Sequence, residues 1–379
     1  MICPNAIKTL QNLSIVVLIG FVCLVFRAPS YAQESPVRIA FWNVESFFDP
    51  FVDSTMVYND FTEEGMQHWT QSRFYRKRNN VYKTILALSE NRPIGIIGLC
   101  EVENDYVLRS LFQYTPLKNH NYRWIHYDGP DRRGIDPAIV YSLDYFMLVE
   151  STTFPYYNPE VPDYRSRDIL YAKFVDKVPE QGRVDGSAVM ADTLHVFVNH
   201  WPSRYSGELE TIGSRACAAS LLRSKVDSIM TAASEDYQPK IIIMGDFNDT
   251  PDEASVYDIL RARLSSESEE YGLVNLFGET ERLGFEGTIK HQDDWQVFDQ
   301  IIVTKSLLSD REGMHYQEGS ARIFHPDFLL TEDETHRGKK PYRTYLGPRY
   351  LGGFSDHLPV FIDLCFGCPN GQKSFENLK

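Results

Sequence analysis

The chain has 379 residues, of which 43% are hydrophobic and 13% are aromatic, and its formal net charge at pH 7 is −14. A chain of this length and apolar content buries most of the surface that it exposes when unfolded, which excludes an intrinsically disordered protein. The acidic balance excludes the basic footprint that tight, sequence-independent DNA binding needs, and it favours a surface that attracts divalent cations.

The first 32 residues have the pattern of a secretory signal. The basic residue Lys8 precedes an apolar run from residue 13 to residue 26, and Ser30 and Ala32 then occupy the small positions of an A-x-A-like cleavage site. A membrane-spanning helix needs about 20 apolar residues, so a permanent anchor is the less favoured interpretation. We therefore expect an exported protein, periplasmic or extracellular, whose mature chain has no membrane span.

Four cysteines follow the predicted signal: Cys100, Cys217, Cys365 and Cys368. In an exported protein they can form disulfides, in three possible pairings. We expect Cys365 and Cys368 to form a disulfide or to remain thiols, because a structural zinc site needs four ligands and no second pair has a matching spacing. Cys100 and Cys217 are expected to be buried thiols in a strand and a helix.

Strand and helix patterns alternate along the rest of the chain, with no repeat or linker that divides it. We expect one domain over residues 33–368, followed by a tail at 369–379. Segments rich in β-branched and aromatic residues predict eight strands: Val37–Trp42, Ile94–Cys100, Ala138–Ser142, Ile169–Val175, Leu194–Asn199, Lys240–Met244, Phe298–Val303 and Pro359–Leu364. A period near 3.6 residues predicts two helices, Ser72–Glu90 and Gly213–Ala233.

The order of these elements favours one fold class. The strands between about residues 138 and 200 have no helix between them, which favours two packed sheets with helices outside, an α/β sandwich, over a single parallel sheet. The segment Phe324–Gly353 is rich in charge, proline and glycine, and is predicted to be a long functional loop.

Polar side chains border five of the apolar segments. Any one of them has an ordinary explanation, because Asp and Asn often cap the turn after a strand. The segments are far apart in sequence, so only a folded sheet could gather their ends, and ligand sites in α/β proteins lie at strand ends. The residues are Asn43 and Glu45, Glu101 and Glu103, Asn199 and His200, Asp246 and Asn248, and Asp356 and His357.

The residue types indicate phosphate chemistry. Asp246 and Asn248 are two positions apart, so in an extended segment both can face one pocket. Asn43 and Glu101 offer hard oxygen ligands that suit Mg²⁺, for which Mn²⁺ could substitute. Histidines beside such a site can donate to a phosphate oxygen or transfer protons near neutral pH.

The chain resembles the endonuclease/exonuclease/phosphatase superfamily, and within it a secreted, deoxyribonuclease-like and metal-dependent phosphoesterase. This family also includes abasic-site endonucleases, sphingomyelinases and inositol polyphosphate 5-phosphatases. The resemblance implies a four-layer αββα sandwich of two mixed sheets, with the active site at one edge of the paired sheets. It rests on five motifs in family order: Trp42-Asn-Val-Glu45, Leu99-Cys-Glu-Val-Glu103, Asn199-His200, Gly245-Asp-Phe-Asn248 and Ser355-Asp-His-Leu-Pro359.

The resemblance also implies roles for the matching residues. Asn43 and Glu101 match the divalent-metal ligands, and Asp356 matches an acidic neighbour that can also approach the metal. Asp246 matches the aspartate that activates or orients the attacking water. Asn248 matches the carboxamide that holds the scissile phosphate.

Two histidines complete the implied site. His357 matches the histidine beside the phosphate, and Asp299 matches the carboxylate that orients it. Asp136 lies where the deoxyribonuclease branch has an acidic partner for its other histidine, which would be His200 in this chain.

Two arginines lie next to the site motifs. Arg204 follows the Asn199-His200 motif, and Arg343 precedes the glycine-rich stretch that leads to His357. Either could bind a phosphate bidentately, or could instead pair with one of the many carboxylates.

The sequence therefore predicts an exported, Mg²⁺-dependent hydrolase of phosphate esters, which we expect to be a monomer. One hypothesis is a phosphodiesterase or endonuclease that hydrolyses nucleic acid by in-line water attack. The acidic charge weighs against it, and the alternative is a phosphomonoesterase or a lipid-headgroup phosphodiesterase of inositol phosphate or sphingomyelin type. A third hypothesis, a binding module without catalysis, is disfavoured because all of the motif residues are present.

Overall fold

The computed structural model describes residues 36–52, 58, 60–90, 92–177, 192–234, 237–264, 267, 272–309 and 313–366. These residues belong to one compact unit that begins at Pro36. The predicted signal at 1–32, the predicted tail at 369–379 and Cys368 lie outside the described residues. Among the helices of the described ranges, none combines the length and the apolar character needed to cross a membrane.

Most of the described chain forms strands. In chain order they are β1 (Val37–Phe47), β2 (Ile96–Val102), β3 (Tyr122–His126), β4 (Asp136–Ser142), β5 (Phe146–Phe154), β6 (Ile169–Asp176), β7 (Thr193–His200), β8 (Lys240–Asp246), β9 (Ala262–Arg263), β10 (Leu273–Asn275), β11 (Ile289–His291), β12 (Asp294–Gln296), β13 (Asp299–Thr304), β14 (Met314–Tyr316), β15 (Arg322–Ile323), β16 (Leu330–Glu332), β17 (Lys339–Pro341), β18 (Tyr345–Leu346), β19 (Arg349–Tyr350) and β20 (Val360–Phe366). All eight predicted strands are among them.

The helices lie between the longer strands. They are α1 (Gln71–Ser89), α2 (Asp105–Gln113), α3 (Glu208–Ala232) and the single turn α4 (Ser306–Ser309). Shorter helical turns occur at Pro116–Asn119, Arg204–Ser206, Ser255–Ile259, Thr280–Arg282 and Asp327–Leu329. The two predicted helices correspond to α1 and α3.

Two seven-stranded mixed sheets form the centre of the fold. The first has the order β14-β20-β1-β2-β4-β3, with β15 also paired to β20, and the second has the order β5-β6-β7-β8-β13-β10-β9. Three small hairpins, β11-β12, β16-β17 and β18-β19, stand apart from them. Two of these hairpins lie within the segment that was predicted to be a long loop.

The side chains of β1 show how the layers are built. Ile39 and Phe41 pack in the hydrophobic cluster between the two sheets, whereas Ala40 and Trp42 pack in the cluster that contains the buried faces of α1 and α2. Successive side chains of a strand point to opposite faces, so one strand serves both layers. A third cluster joins the second sheet to α3. The predicted four-layer αββα sandwich is therefore confirmed.

The cysteines partly follow their prediction. Cys100 in β2 and Cys217 in α3 are both free thiols. Cys100 is buried and donates a hydrogen bond to the carbonyl of Asn199 at 3.3 Å. The prediction of burial is wrong for Cys217, which is half-buried because α3 covers the second sheet with one face only.

Candidate active site

Strand ends from both sheets meet at one edge of the sandwich. The parallel pairs β1-β2 and β7-β8 bring their carboxyl ends to this edge. Because β13 runs antiparallel to β8, Asp299 lies opposite Asp246. The strand β20 runs antiparallel to β1, so the segment before β20, which contains His357, arrives at the same edge. A hydrogen bond of 3.0 Å from Asn43 Nδ2 to Asp246 Oδ2 joins the two sheets here.

Two irregularities in the first sheet aim carboxylates into this edge. The pairing of β1 with β2 shifts register between Asn43 and Phe47, and the pairing of β2 with β4 shifts between Leu99 and Val102. Glu45 and Glu101 lie inside these shifts, with φ angles of 53° and 65°. Residues other than glycine rarely adopt this left-handed region, and such strain clusters at functional sites.

Asp246 is the buried carboxylate at the centre of the site. Its Oδ2 accepts the hydrogen bond from Asn43 and lies 3.6 Å from His200 Nε2 and 3.7 Å from His357 Nε2. Its Oδ1 accepts a hydrogen bond from the backbone N–H of Asn248 at 3.0 Å. Burial raises the pKa of Asp246 to about 6, although the nearby charge of His357 lowers it. The carboxyl group therefore titrates close to neutral pH.

His357 is held by a carboxylate of the second sheet. Its Nδ1 donates to Asp299 Oδ2 at 2.7 Å, and both side chains are buried. Burial lowers the pKa of His357, but the carboxylates of Asp299 and Asp246 raise it well above the ordinary value overall. The imidazole is thus a cation whose Nε2 faces Asp246. This is the contact expected of an orienting carboxylate, while the catalytic role of the pair stays a prediction.

His200 faces the same carboxylate from the other side. Its Nε2 lies 3.8 Å from Glu101 Oε1 as well as 3.6 Å from Asp246 Oδ2. Its Nδ1 is buried and has no hydrogen-bond partner within the described ranges.

The structure corrects the predicted pairing of His200 with Asp136. Asp136 begins β4, and its Oδ2 accepts a hydrogen bond from the backbone N–H of Gly129 at 3.0 Å. Its Oδ1 is buried without a hydrogen-bond partner in the part of the chain that the structure describes. One oxygen of the carboxyl group is held by the loop before β4, and among the described residues no hydrogen bond joins this group to the imidazole.

Glu101 and Asn43, the predicted metal ligands, lie side by side. Glu101 Oε2 accepts hydrogen bonds from Ser46 N at 2.7 Å and Ser46 Oγ at 3.2 Å, and its Oε1 lies 3.4 Å from Asn43 Nδ2. The amide of Asn43 turns its nitrogen toward Glu101 and Asp246, while its oxygen accepts from Glu45 N. A ligand role for Asn43 requires the amide oxygen to face Glu101, and it stays a prediction.

A second set of possible ligand atoms lies on the other side of Asp246. One atom each from Asp246, Asp299 and His357 lie within 4.8 Å of one another. None of these residues was predicted to bind metal. The set offers hard oxygens and one imidazole, but the hydrogen bond between Asp299 and His357 already uses two of these groups. Glu101 and Asp246 offer carboxylate oxygens alone, which a hard divalent cation prefers to an imidazole.

Arg343 and Asp356, both predicted site residues, pair with each other. Arg343 donates to Asp356 Oδ2 at 2.9 Å, and its Nε lies 3.5 Å from Glu45 Oε1. The two carboxylates, led by Asp356, raise the pKa of Arg343 against the effect of burial. Protein carboxylates therefore hold Arg343 at the border of the site. This agrees with the alternative prediction, in which the arginine pairs with carboxylates and does not bind phosphate.

Lys77 of α1 is a buried cation beside this pair to which the sequence gave no role. It is 1% exposed, and its Nζ donates to Thr344 Oγ1 and to the carbonyl of Phe354, both at 2.6 Å. Burial lowers the pKa of Lys77 to about 8, and the charge of Glu45 opposes this shift. The sequence could have indicated the burial of Lys77. It lies on the same face of the helix as the apolar residues Phe74 and Val81, which is the face that packs inward.

Arg204 is also engaged by carboxylates. It forms ion pairs with Asp249, Glu253 and Glu208, and its guanidinium lies 4.7 Å from the ring centroid of Phe298. Its Nε donates to the carbonyl of Asn248 at 2.7 Å. Arg204 therefore holds the backbone of Asn248 in place, and its contacts favour the ion-pair interpretation over phosphate binding.

The matched sequence covers nearly all of this fold. Residues 38–365 match the Endonuclease/Exonuclease/phosphatase family. The chain belongs to this family. Its members are metal-dependent phosphoester hydrolases, so the protein is a phosphoesterase of the endonuclease/exonuclease/phosphatase type. No curated protein matches the sequence significantly.

Solved structures of three bacterial proteins have a similar fold. An endonuclease/exonuclease/phosphatase family protein from Bacteroides thetaiotaomicron is 16% identical with a TM-score of 0.51, and the match covers 90% of this chain and 98% of that one. A counterpart from Bacteroides vulgatus is 17% identical with a TM-score of 0.50, covering 88% and 100%. A functionally unknown conserved protein from Enterococcus faecalis is 16% identical with a TM-score of 0.50, covering 87% and 100%. At these identities the similarity shows the fold alone.

Proposed function

We propose that this protein is a phosphodiesterase that hydrolyses nucleic acid with the help of a divalent cation. One observation carries the proposal within a family of phosphoesterases. The Oδ2 of Asp246 lies within 3.7 Å of three nitrogen atoms, which come from Asn43, His200 and His357 on both sheets. This arrangement suits the orientation of a water molecule beside a phosphate.

In the proposed reaction, water attacks phosphorus opposite the leaving oxygen, the ester P–O bond breaks, and the leaving oxygen takes up a proton from solvent. Asp246 orients the water or accepts its proton, and a pKa of about 6 keeps the carboxylate mostly ionised and still basic at neutral pH. The His357 cation, held by Asp299, stabilises the negative charge that develops on the phosphoryl oxygens. Asn248 is fixed by its backbone N–H, which donates to Asp246, and by its side-chain Nδ2, which donates to the carbonyl of Trp201; we propose that this carboxamide holds the phosphate.

Glu101 and Asp246 are the residues that would hold the cation, with Asn43 between them. A bound divalent cation neutralises charge on phosphate oxygens. We propose Mg²⁺, with Mn²⁺ as a substitute, because the ligand atoms are hard oxygens. Asp356 is paired with Arg343, so its approach to a cation requires that ion pair to open.

A second candidate function is hydrolysis of a small phosphomonoester or a lipid headgroup. The net charge of −14 favours it, because an acidic protein repels a long polyanion more strongly than a single phosphate. We also propose that the protein acts outside the cytoplasm, on the basis of the signal-like pattern in residues 1–32.

The test incubates the protein with Mg²⁺, or with chelator, against plasmid DNA, RNA, inositol phosphates and sphingomyelin. Asp246→Asn, which keeps the size of the side chain, is the matched control. Nicking of the plasmid or cleavage of RNA that stops with chelator and with the variant supports the phosphodiesterase. Release of inorganic phosphate from inositol phosphates, or of phosphocholine from sphingomyelin, without cleavage of either nucleic acid supports the second candidate. Silence of the wild type on every substrate contradicts both.

A further inference from the structure

We propose that Arg133 binds a non-bridging oxygen of the substrate phosphate and that Asp131 and Arg167 hold it in position for this contact. The inference rests on the proposed phosphoester hydrolysis and deepens it by naming the anion-binding side chain of the site. None of these three residues belongs to the motifs that indicate the family.

Asp131 links the two arginines. It accepts hydrogen bonds from the backbone N–H and the Nε of Arg133, at 2.8 Å and 3.2 Å, and from a terminal nitrogen of Arg167 at 3.2 Å. Burial raises the pKa of Asp131, but the guanidinium groups of Arg167 and Arg133 lower it overall. The carboxylate is therefore ionised at neutral pH and keeps both guanidinium groups close together.

Arg167 connects this pair to the residues of the site. It is 2% exposed, and it donates to the carbonyl of Trp201 at 2.8 Å. The same carbonyl accepts a hydrogen bond from Asn248 Nδ2 at 3.0 Å, and Trp201 directly follows His200 in the chain. Arg167 is thus a positioning residue whose contacts reach both the predicted phosphate-binding carboxamide and the end of β7.

His357 and His200 lie on two sides of the central carboxylate, with their Nε2 atoms 3.7 Å and 3.6 Å from Asp246 Oδ2. Arg167 reaches the His200 side through the carbonyl of Trp201. A positive charge on this side would stabilise a second phosphate oxygen.

Arg133 is the arginine best placed to supply that charge. Arg204 is paired with three carboxylates and Arg343 with two, whereas Arg133 and Arg167 share the single carboxylate of Asp131. Arg167 is buried, but the side chain of Arg133 is 40% exposed and can reach a ligand. Two guanidinium groups and one carboxylate leave a net positive charge, which can bind an anion. A guanidinium also matches the geometry of a phosphate.

The test compares Arg133→Ala with Arg132→Ala. Arg132 is the adjacent residue of the same loop and is exposed, and its guanidinium contacts the carbonyl of Asp163 at a marginal 3.5 Å. Removing the guanidinium of Arg133 is expected to raise KM and to weaken the binding of inorganic phosphate by roughly 10- to 100-fold, the usual effect of losing a charged hydrogen bond. Arg132→Ala is expected to resemble the wild type, and Arg133→Lys to lie between them because it keeps the charge without the planar fork.

The measurements are the affinity for inorganic phosphate by calorimetry, KM and kcat on the substrate that the wild type hydrolyses, and the midpoint of thermal unfolding. Asp131→Asn, which releases the hold on Arg133, is expected to raise KM with a smaller change in kcat. Where Arg133→Ala does not fold, Arg133→Gln replaces it in the same comparison.

Two results would overturn the assignment: equal phosphate affinities and KM values for the wild type and Arg133→Ala, or an equal loss in Arg132→Ala. Failure of the proposed function gives a different result. A wild type that hydrolyses no phosphoester but loses phosphate binding on substitution of Arg133 would contradict the proposed reaction and retain the arginine as the anion-binding residue.

Discussion

The replacement Asp136→Asn is expected to change how the stability of the protein depends on pH. Burial raises the pKa of Asp136 from 3.8 to about 7, although the hydrogen bond from Gly129 lowers it. An acid whose pKa is raised on folding contributes stability that is present below its unfolded pKa and is lost as pH rises through its folded pKa. Asp136 therefore penalises the folded state most strongly above about pH 7, and asparagine removes this penalty.

The size of the effect follows from the shift. A change of about 3 pKa units at roughly 1.4 kcal/mol per unit gives a penalty of about 4 kcal/mol at pH 8, and roughly 1.5 kcal/mol remains at pH 5. The wild type should thus lose roughly 2.5 kcal/mol relative to the variant between these two pH values. The new amide places donors where Oδ1 of Asp136 has no partner within the described ranges, which costs roughly 1–3 kcal/mol at every pH. Relative to the wild type, Asp136→Asn should therefore lie between about 0.5 kcal/mol more stable and about 1.5 kcal/mol less stable at pH 5, and it should be about 1–3 kcal/mol more stable at pH 8.

The assay is urea unfolding of both proteins at several pH values between these limits, followed by circular dichroism. The control is Asp131→Asn, whose effect has the opposite sign because the two arginines lower the pKa of Asp131 against the effect of burial. It should destabilise the protein by a similar amount at every pH in this range, because the folded pKa of Asp131 lies below the ordinary 3.8 and its stabilising effect is lost only as pH falls through that pKa. Parallel stability curves for the wild type and Asp136→Asn would refute the reasoning.

Four further predictions follow from the site and its supports. Asp246→Asn or His357→Ala should lower the catalytic rate at least ~100-fold with an unchanged circular dichroism spectrum, and near-full activity would reject their roles. Chelator should abolish hydrolysis and added Mg²⁺ or Mn²⁺ should restore it, whereas activity that survives exhaustive chelation would contradict a metal requirement. Gly245→Ala should lower the unfolding free energy by about 1–3 kcal/mol and should also lower the activity, because a Cβ at this position would lie 2.4 Å from the carbonyl oxygen of Asn199. An unchanged melting temperature would argue against this clash. Lys77→Met should lower the unfolding free energy, measured by urea unfolding, by about 3–5 kcal/mol, because it removes a cation that neutralises the buried carboxylates of Glu45 and Asp356. An unchanged free energy would show that Arg343 alone neutralises these carboxylates.

Some elements of the fold lack a local signal in the sequence. The edge strand β5 is largely exposed, and the apolar run at its start, residues 146–149, is followed by the polar residues 150–153, so its pattern is weak; α2 is only nine residues long. The direction in which the side chain of Glu101 points also has no local signal in the sequence. A residue in a regular strand faces one of two sides by its position alone, but Glu101 lies in a register shift with a left-handed backbone conformation. No periodicity in the sequence predicts such a shift.

The sequence by itself determined the elements and the chemical types at their ends. Apolar runs with a period near two or near 3.6 residues are local properties, and they predicted the main strands, two helices and the arrival of Asp246 and Asn248 at a strand end. The tertiary structure alone decided which groups meet there. It pairs Arg204 and Arg343 with carboxylates, bonds Asp136 to the backbone of Gly129, and places Asp131 between two arginines. The reason is that these contacts depend on how two sheets and their connecting loops pack together, and neither the spacing nor the type of the residues records that packing.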